Sequence, residues 1–205
     1  MPLCHLDHLV VTAPSLTEGV AYVHAQLGVT PQPGGRHPRM GTHNCLFKLG
    51  PASYLEVIAV DPDAPALGPR WFRLDRGLPP RLATWVARTS DIRAAAAVFG
   101  RPEPMERGAL RWEITLPDQG DLPFDGVAPT LIQWHTEPHP AAGLPDGGCA
   151  LVRLEGRHPR AAEITRLLAG IGLQPGCPVA IQPGDGEPAL VAHIRTPDGL
   201  RTLGA

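Results

Sequence analysis

The chain has 205 residues, with 18 basic side chains against 20 acidic and a formal charge of −2. No block of like charge and no basic stripe with interleaved aromatics occurs, which excludes a nucleic-acid partner and argues against a membrane surface. At this length about 70% of the unfolded surface can be buried, so a core needs no covalent staples. With 43% of residues apolar, the 23 glycines and 25 prolines point to many short elements joined by tight loops rather than to disorder.

The start, Met1-Pro2-Leu3-Cys4-His5, lacks the basic residues and long apolar stretch of a signal peptide. Leu6 to Thr12 is short, β-branched and apolar, and it stops at Ala13-Pro14, as a strand does. Ser15 offers an N-cap for a helix over Leu16 to Leu27, with Leu16, Val20, Val23 and Leu27 at helical spacing and Gly28 to end it. Pro31 to Gly41 has the Gly and Pro content of a loop. Strands follow over Asn44 to Leu49 and Tyr54 to Val60, split by a Gly50-Pro51 turn. Pro62 to Pro80 is the first linker, with a short helix around Trp71 to Leu74.

The same order then recurs. Leu82 to Arg88 is a strand, Ser90-Asp91 caps a helix over Ile92 to Phe99, and Ala109 to Leu116 and Thr130 to His135 are strands. After a second linker, Pro138 to Gly148, a third start appears at Ala150 to Leu154. Pro159 opens a helix through Ile164, Leu167 and Leu168 to Gly170. Val179 to Ile181 and Ala189 to Ile194 are the last strands. Three strand–helix–strands units imply structural duplication, with modules at 1–61, 82–137 and 149–205 and linkers at 62–81 and 138–148. The cysteines, Cys4, Cys45, Cys149 and Cys177, lie far apart without a CxxC pair. They fit buried thiols in a reducing, cytoplasmic setting, and no run of 18 apolar residues suggests a membrane span.

Two polar residues interrupt apolar strands. In Leu6-Asp7-His8-Leu9-Val10, alternation puts His8 on a face with Leu6 and Val10. In Tyr54-Leu55-Glu56-Val57-Ile58, it puts Glu56 with Tyr54 and Ile58. A carboxylate in mid-strand is costly to bury unless something pairs with it. Histidine and carboxylate are also ligand types for a divalent metal with open positions. Taken singly, a strand histidine is more often a hydrogen-bonded core residue and a strand glutamate more often sits at a sheet edge.

Arg36, His37 and Arg39 form a basic cluster that suits either a carboxylate or phosphate at a cavity mouth or a solvated loop. Asn44, behind a glycine turn, either points into a cavity or ties down its loop. Trp85, Trp112 and Trp134 are core or cavity wall. His43 and His135 are further candidate ligands, although a loop and a strand end explain them as well. In His135-x-x-x-His139 the flanking Pro138 and Pro140 prevent the helix that would align the rings.

LDHLVVTAPSL, then GGRHPRMGTHNCLFKLGPASYLEVIAVDP, resembles the glyoxalase-like branch of the vicinal oxygen chelate superfamily. Its marks are a strand-borne Asp7-His8, Gly41-Thr42-x-Asn44 and Tyr54-Leu55-Glu56. LATWVART and PTLIQWH resemble that branch's second module. The resemblance implies an α+β fold of repeated βαβββ modules, forming a cupped, mostly antiparallel sheet around a cavity with helices outside. It also implies a divalent metal (zinc, iron, manganese or nickel) on the first and fourth strands of paired modules. Those positions fall on His8 and Glu56 in the first module and on Thr84 and Gln133 in the second. Threonine and glutamine are poor ligands, so the set departs from the metal-binding pattern.

The function implied is an enzyme of isomerase, lyase or dioxygenase type acting on an oxygenated metabolite, with Glu56 catalytic. Asn44, Arg39, Gln133 and Trp85 are the substrate-binding candidates. The alternatives are a non-catalytic protein that sequesters a small molecule, or a structural role that retains the fold. The partner expected is a small-molecule ligand, with neither nucleic acid nor membrane, and a homodimer is the one protein assembly considered.

Overall fold

The computed structural model describes residues 3–65 and 68–204. The first module runs β1 (Cys4–Thr12), α1 (Leu16–Leu27), β2 (Gln32–His37), β3 (Thr42–Gly50) and β4 (Ser53–Val60). The second runs β5 (Arg81–Thr89), α2 (Ile92–Ala95), β6 (Arg101–Arg107), β7 (Leu110–Leu116) and β8 (Thr130–Trp134). These strands make one eight-stranded sheet in the order β2-β3-β4-β1-β5-β8-β7-β6. In each module the opening strand pairs in parallel with the last, β1 with β4 and β5 with β8, while β1 and β5 join the halves antiparallel. The sheet curls into a half-barrel with the helices outside, as an α+β fold of this kind requires.

The third unit comprises β9 (Ala150–Arg157), α3 (Ala161–Gly170), β10 (Val179–Gln182), β11 (Ala189–Thr196) and β12 (Gly199–Gly204). It forms its own sheet, β10-β9-β11-β12, in which the opening strand lies between β10 and β11. The element order is that of the other modules, but the strand order is not. The unit is tied to the start of β1 by backbone bonds from Cys4 N to Gly172 O (3.0 Å) and from Gln174 N to Cys4 O (3.0 Å).

Helix α1 begins where Ser15 accepts from Glu18 N (3.2 Å) and ends on left-handed Gly28 (φ 72°). Its Val23 and Leu27 pack on the convex face of the large sheet with Leu9, Val11, Leu55, Val57, Trp85 and Leu131. Leu154, Ile164 and Ile194 of the third unit belong to the same core. The concave face carries a separate cluster, Val10, Ile58, Val86, Met105, Trp112 and Ile132. Trp71 and Phe72 cover it from a two-turn 3-10 segment, Trp71–Arg76, where the sequence suggested a short helix.

Four elements differ from expectation. The Pro31 to Gly41 loop contains β2, and the stretch ahead of Ala109 contains β6. Both carry prolines and lie at the sheet's edges, where a missing N–H leaves no ladder bond unmade. Helix α2 gives way after Ala95 to a 3-10 turn, Ala96–Val98, because Phe99 enters the core and Gly100 (φ 106°) turns the chain into β6. Strand β12 follows Ile194 as the second arm of a hairpin on β11. All four cysteines are free thiols, and no described helix is long and apolar enough to cross a membrane.

Trp85 is fully buried on the convex face, and its Nε1 donates to Val127 O at 3.0 Å. Trp85→Ala should therefore lower the unfolding free energy by about 3–5 kcal/mol, measured by urea denaturation. A loss below about 1 kcal/mol would mean that this residue does not anchor the core.

Candidate functional site

The pairing of β1 with β5 shifts register between Leu6 and His8, which leaves Asp7 as an extra residue. The bulge breaks the alternation expected from the sequence: Leu6 packs with the convex core, whereas His8 lines a cavity on the concave side. The Asp7 carboxylate is fully buried and is reached by His8 Nδ1 (2.7 Å), His139 Nε2 (2.9 Å) and Trp134 Nε1 (3.1 Å). Arg88 Nη1 stands 3.6 Å away. Burial alone would raise its pKa, but the hydrogen bonds from His139 and His8 outweigh burial and hold it well below the usual carboxylate range. Asp7 is therefore an anion, and His8 donates to it through Nδ1.

The imidazole of His8 stacks on Tyr54, with centroids 4.5 Å apart and planes at 14°. Burial, and then the carboxylates of Asp7 and Glu56, push the Tyr54 phenol well up, so it keeps its proton. His8 Nε2 faces Glu56 Oε2 at 3.6 Å. The other oxygen, Glu56 Oε1, accepts from Asn44 Nδ2 at 2.6 Å. Asn44 Oδ1 accepts in turn from Gly35 N (2.8 Å) and Arg107 Nη1 (3.3 Å). Arg107 also donates to His37 Nε2 (3.2 Å), and this fixes the His37 hydrogen on Nδ1, beside Thr42 Oγ1 at 3.0 Å. Burial first, with Arg107 adding to it, pushes His37 down to about 4, so the ring is neutral.

Polar side chains thus form one connected line across the cup, from His139 and Trp134 through Asp7, His8, Glu56, Asn44 and Arg107 to His37. Leu46, Ile114, Ile132, Trp112, Trp71 and Phe72 complete the wall. The cavity holds about 30 Å³, room for one or two water molecules. That space is smaller than a metabolite, and Trp71 and Phe72 lie over it. The indole Nε1 of Trp71 is buried and has no hydrogen-bond partner among the described residues.

Of the residues singled out from sequence, His8, Glu56 and Asn44 come together here, with His37, Trp112 and Trp134 also on the lining. Three substrate-binding candidates do not. Trp85 lies on the convex face. So does Gln133, whose Oε1 accepts from Ile92 N at 2.9 Å and so caps the start of α2. Arg39 is half exposed outside the cavity, on Glu103 (2.5 Å) and the carbonyl of Pro104. Thr84 donates to Gly126 O (3.1 Å), and His135 sits on Glu113 (3.0 Å). Asp7 and Tyr54 entered the sequence analysis only as marks of the resemblance and His139 only in a spacing that its flanking prolines spoil, so none was given a role, and Arg107 was not singled out. Asp7 was hidden by the bulge, and Arg107 carried no signal at all.

A metal would find two donors here, His8 Nε2 and Glu56 Oε2. The second module presents Thr130, Ile132 and Trp134 from β8, and Ala83 and Val86 from β5. No group of three or more His, Cys, Asp or Glu residues among the described ones could hold an ion. Two donors do not fit a resident divalent metal, which takes three or four protein ligands.

Residues 6–172 match the glyoxalase-like domain family. No curated protein matches the sequence. A hypothetical protein from Staphylococcus aureus superposes with a TM-score of 0.61 at 15% identity, over 92% of this chain and 81% of its own. A mutant of 4-hydroxymandelate synthase from Streptomyces coelicolor superposes with a TM-score of 0.51 at 14% identity, and the chain spans 63% of its length. Methylmalonyl-CoA epimerase from Mycobacterium tuberculosis aligns 92% of its chain with 68% of this one at 19% identity, with a TM-score of 0.43.

The neutral, buried His37 sets a pH dependence. The unfolded chain takes up a proton at this ring near pH ~6.5, whereas the folded protein does so only near pH 4. Stability is thus fully present above about pH 6.5 and falls between there and pH 4 by roughly 3 kcal/mol from this group. Urea titrations from pH 7.5 to 4.5 should show that slope, and His37→Gln, which cannot titrate, should flatten it.

Proposed function

The chain belongs to the glyoxalase-like domain family, within the vicinal oxygen chelate superfamily, and from that premise we propose that it is an enzyme that moves a proton on a small oxygenated metabolite. The observation that carries this reading is the facing of His8 Nε2 and Glu56 Oε2 at 3.6 Å, both buried on a small cavity. Each is fixed from behind by a different group, His8 by Asp7 and Glu56 by Asn44.

Glu56 is the base. Asn44 occupies Oε1 and leaves Oε2 to take a proton from the carbon beside a carbonyl. His8, with its hydrogen on Nδ1, accepts at Nε2 the proton of the substrate's neighbouring hydroxyl and returns it to the carbonyl oxygen, while Glu56 returns its own proton to carbon, so the two transfers balance. Asp7 orients the ring and stabilises the imidazolium that forms, as a buried carboxylate does behind a general-base histidine. Tyr54, kept neutral, holds the ring plane by stacking. Removal of the water-sized space when substrate enters strengthens each of these interactions. Chemistry of this kind is of isomerase or lyase type. The free thiols of Cys4, Cys45, Cys149 and Cys177 support a cytoplasmic location.

The alternative, a protein that sequesters its ligand without chemistry, is favoured by the donor set, which falls short of the superfamily's metal pattern. Solvent exchange separates the two. In D2O, proton NMR of small 2-oxo and 2-hydroxy compounds should show protein-dependent loss of the signal next to the carbonyl. Glu56→Gln should slow that loss by about 100-fold or more, with the fold intact by circular dichroism. Compounds that bind without exchange would sink the enzyme reading in favour of sequestration.

Elemental analysis of protein purified without chelators should find well under one metal per chain. Stoichiometric zinc, iron, manganese or nickel that survives dialysis would overturn the two-donor argument.

A further inference from the structure

The two arginines that the sequence offers for an anion, Arg36 and Arg39, are already paired, and so is Arg111 on the same groove. Arg36 lies 3.0 Å from Asp61 and 2.7 Å from Asp63, Arg39 is held by Glu103, and Arg111 stands 3.5 Å from Glu106. Arg107 is different. Among the described residues no carboxylate lies within ion-pair distance of it, and the two acceptors on its Nη1 are the neutral groups Asn44 Oδ1 and His37 Nε2. Its Nε and Nη2 make no hydrogen bond among the described residues. A part-buried guanidinium with neutral neighbours on one edge and an unused fork on the other is a receptor for an anion.

The surroundings are built for that reach. Arg107 lines the inner cavity and also an open groove of about 610 Å³ between the edge strands β2 and β6. Gly35 leaves the room that the Arg107 side chain fills: a Cβ there would lie 2.8 Å from Arg107 Cδ. Gly34 does the same for Asn44, since a Cβ would lie 2.2 Å from Oδ1. The amide of Asn44 bridges Arg107 to Glu56, so an anion on Arg107 stands one amide away from the base.

We infer that Arg107 binds the carboxylate of the substrate through Nε and Nη2, from a molecule that enters by the β2–β6 groove, so that the substrate is a small carboxylic acid whose reacting carbon adjoins its carboxylate. This rests on Glu56 being the base. A carboxylate is preferred to a phosphate because its two coplanar oxygens match one guanidinium fork with a single charge. A dianion would bring excess charge close to Glu56.

The test uses the whole protein, with calorimetry and thermal shift on lactate and pyruvate, neutral lactamide and inorganic phosphate, at matched ionic strength. The two acids should bind and stabilise, with lactamide and phosphate clearly weaker. Arg107→Gln should weaken the acids by about 10- to 100-fold. Arg107→Lys, which keeps the charge and loses the fork, should fall between, and Arg111→Gln should stay within about 2-fold of the parent. Glu56→Gln should keep acid binding while losing exchange, so the two readings fail separately. Acid binding that needs Arg107 without any exchange supports Arg107 as the carboxylate site, and it removes the proton-transfer reading together with the placement of the reacting carbon. No response to either acid, equal binding of lactamide, tighter binding of phosphate, or unchanged affinity in Arg107→Gln overturns it.

Discussion

A carboxylate sealed from water has to be protonated or surrounded by donors, and Asp7 takes the second course. Its donors come from three places: His8 beside it in β1, Trp134 at the end of β8, and His139 in the linker that leads to the third unit. One buried anion therefore pulls together both modules of the large sheet and the chain that leaves them. It also fixes which nitrogen His8 presents to Glu56. The β1 bulge makes this geometry available, because a regular strand would set Asp7 and His8 on opposite faces.

The two modules share a topology and divide the work. Module one supplies His8, Asn44, Tyr54 and Glu56, while module two supplies Trp112, Ile114, Ile132 and Trp134 as wall, with Arg107 from its edge strand. The half-barrel is thus pseudo-symmetric in backbone and asymmetric in chemistry. That asymmetry takes the site away from symmetric metal ligation and toward a cavity with one polar side. On such a side the Glu56 carboxylate and the fixed His8 imidazole interact more strongly than they would in water.

The interrupted apolar strands made His8 and Glu56 legible, because a polar residue in mid-strand needs a physical reason. Asn44 was legible through its glycine turn, although the choice between cavity and loop stayed open. The structure gives Asn44 both roles, since it binds Glu56 and also Gly35 N. Gln133 and Trp85 show where strand patterns fail. In β8 the cup-facing residues are Ile132 and Trp134, so setting Gln133 at the position of Glu56 placed the register one residue off, which exchanges the faces. The edge strands β2 and β6 were hidden by prolines that an edge tolerates. Arg107 could not be found from its neighbours in sequence, because its partners come from β2 and β3, some 60 to 70 residues earlier in the chain.

The roof of the cup is held differently from its floor. Trp71 and Phe72 bury apolar surface over the cavity, yet Phe72 and Arg73 sit in left-handed backbone (φ 56° and 57°), a conformation that costs on the order of 1 kcal/mol or more for each side-chain-bearing residue. Buried Arg70 ties the segment down, since Asp75 accepts from both its N and its Nη1 at 2.6 Å, and part-exposed ion pairs add to that, Arg73 with Asp121 and Asp125 and Arg76 with Asp121. Each such pair contributes only about 0–1 kcal/mol. The floor, by contrast, is a hydrogen-bonded sheet with fully buried side chains on both faces. Left-handed backbone recurs at Gln119, Phe124 and Asp125, so the strain lies in the connecting segments and not in the sheet that forms the floor. The polar line beneath stays fixed by the sheet, so the roof can yield without disturbing the His8–Glu56 geometry.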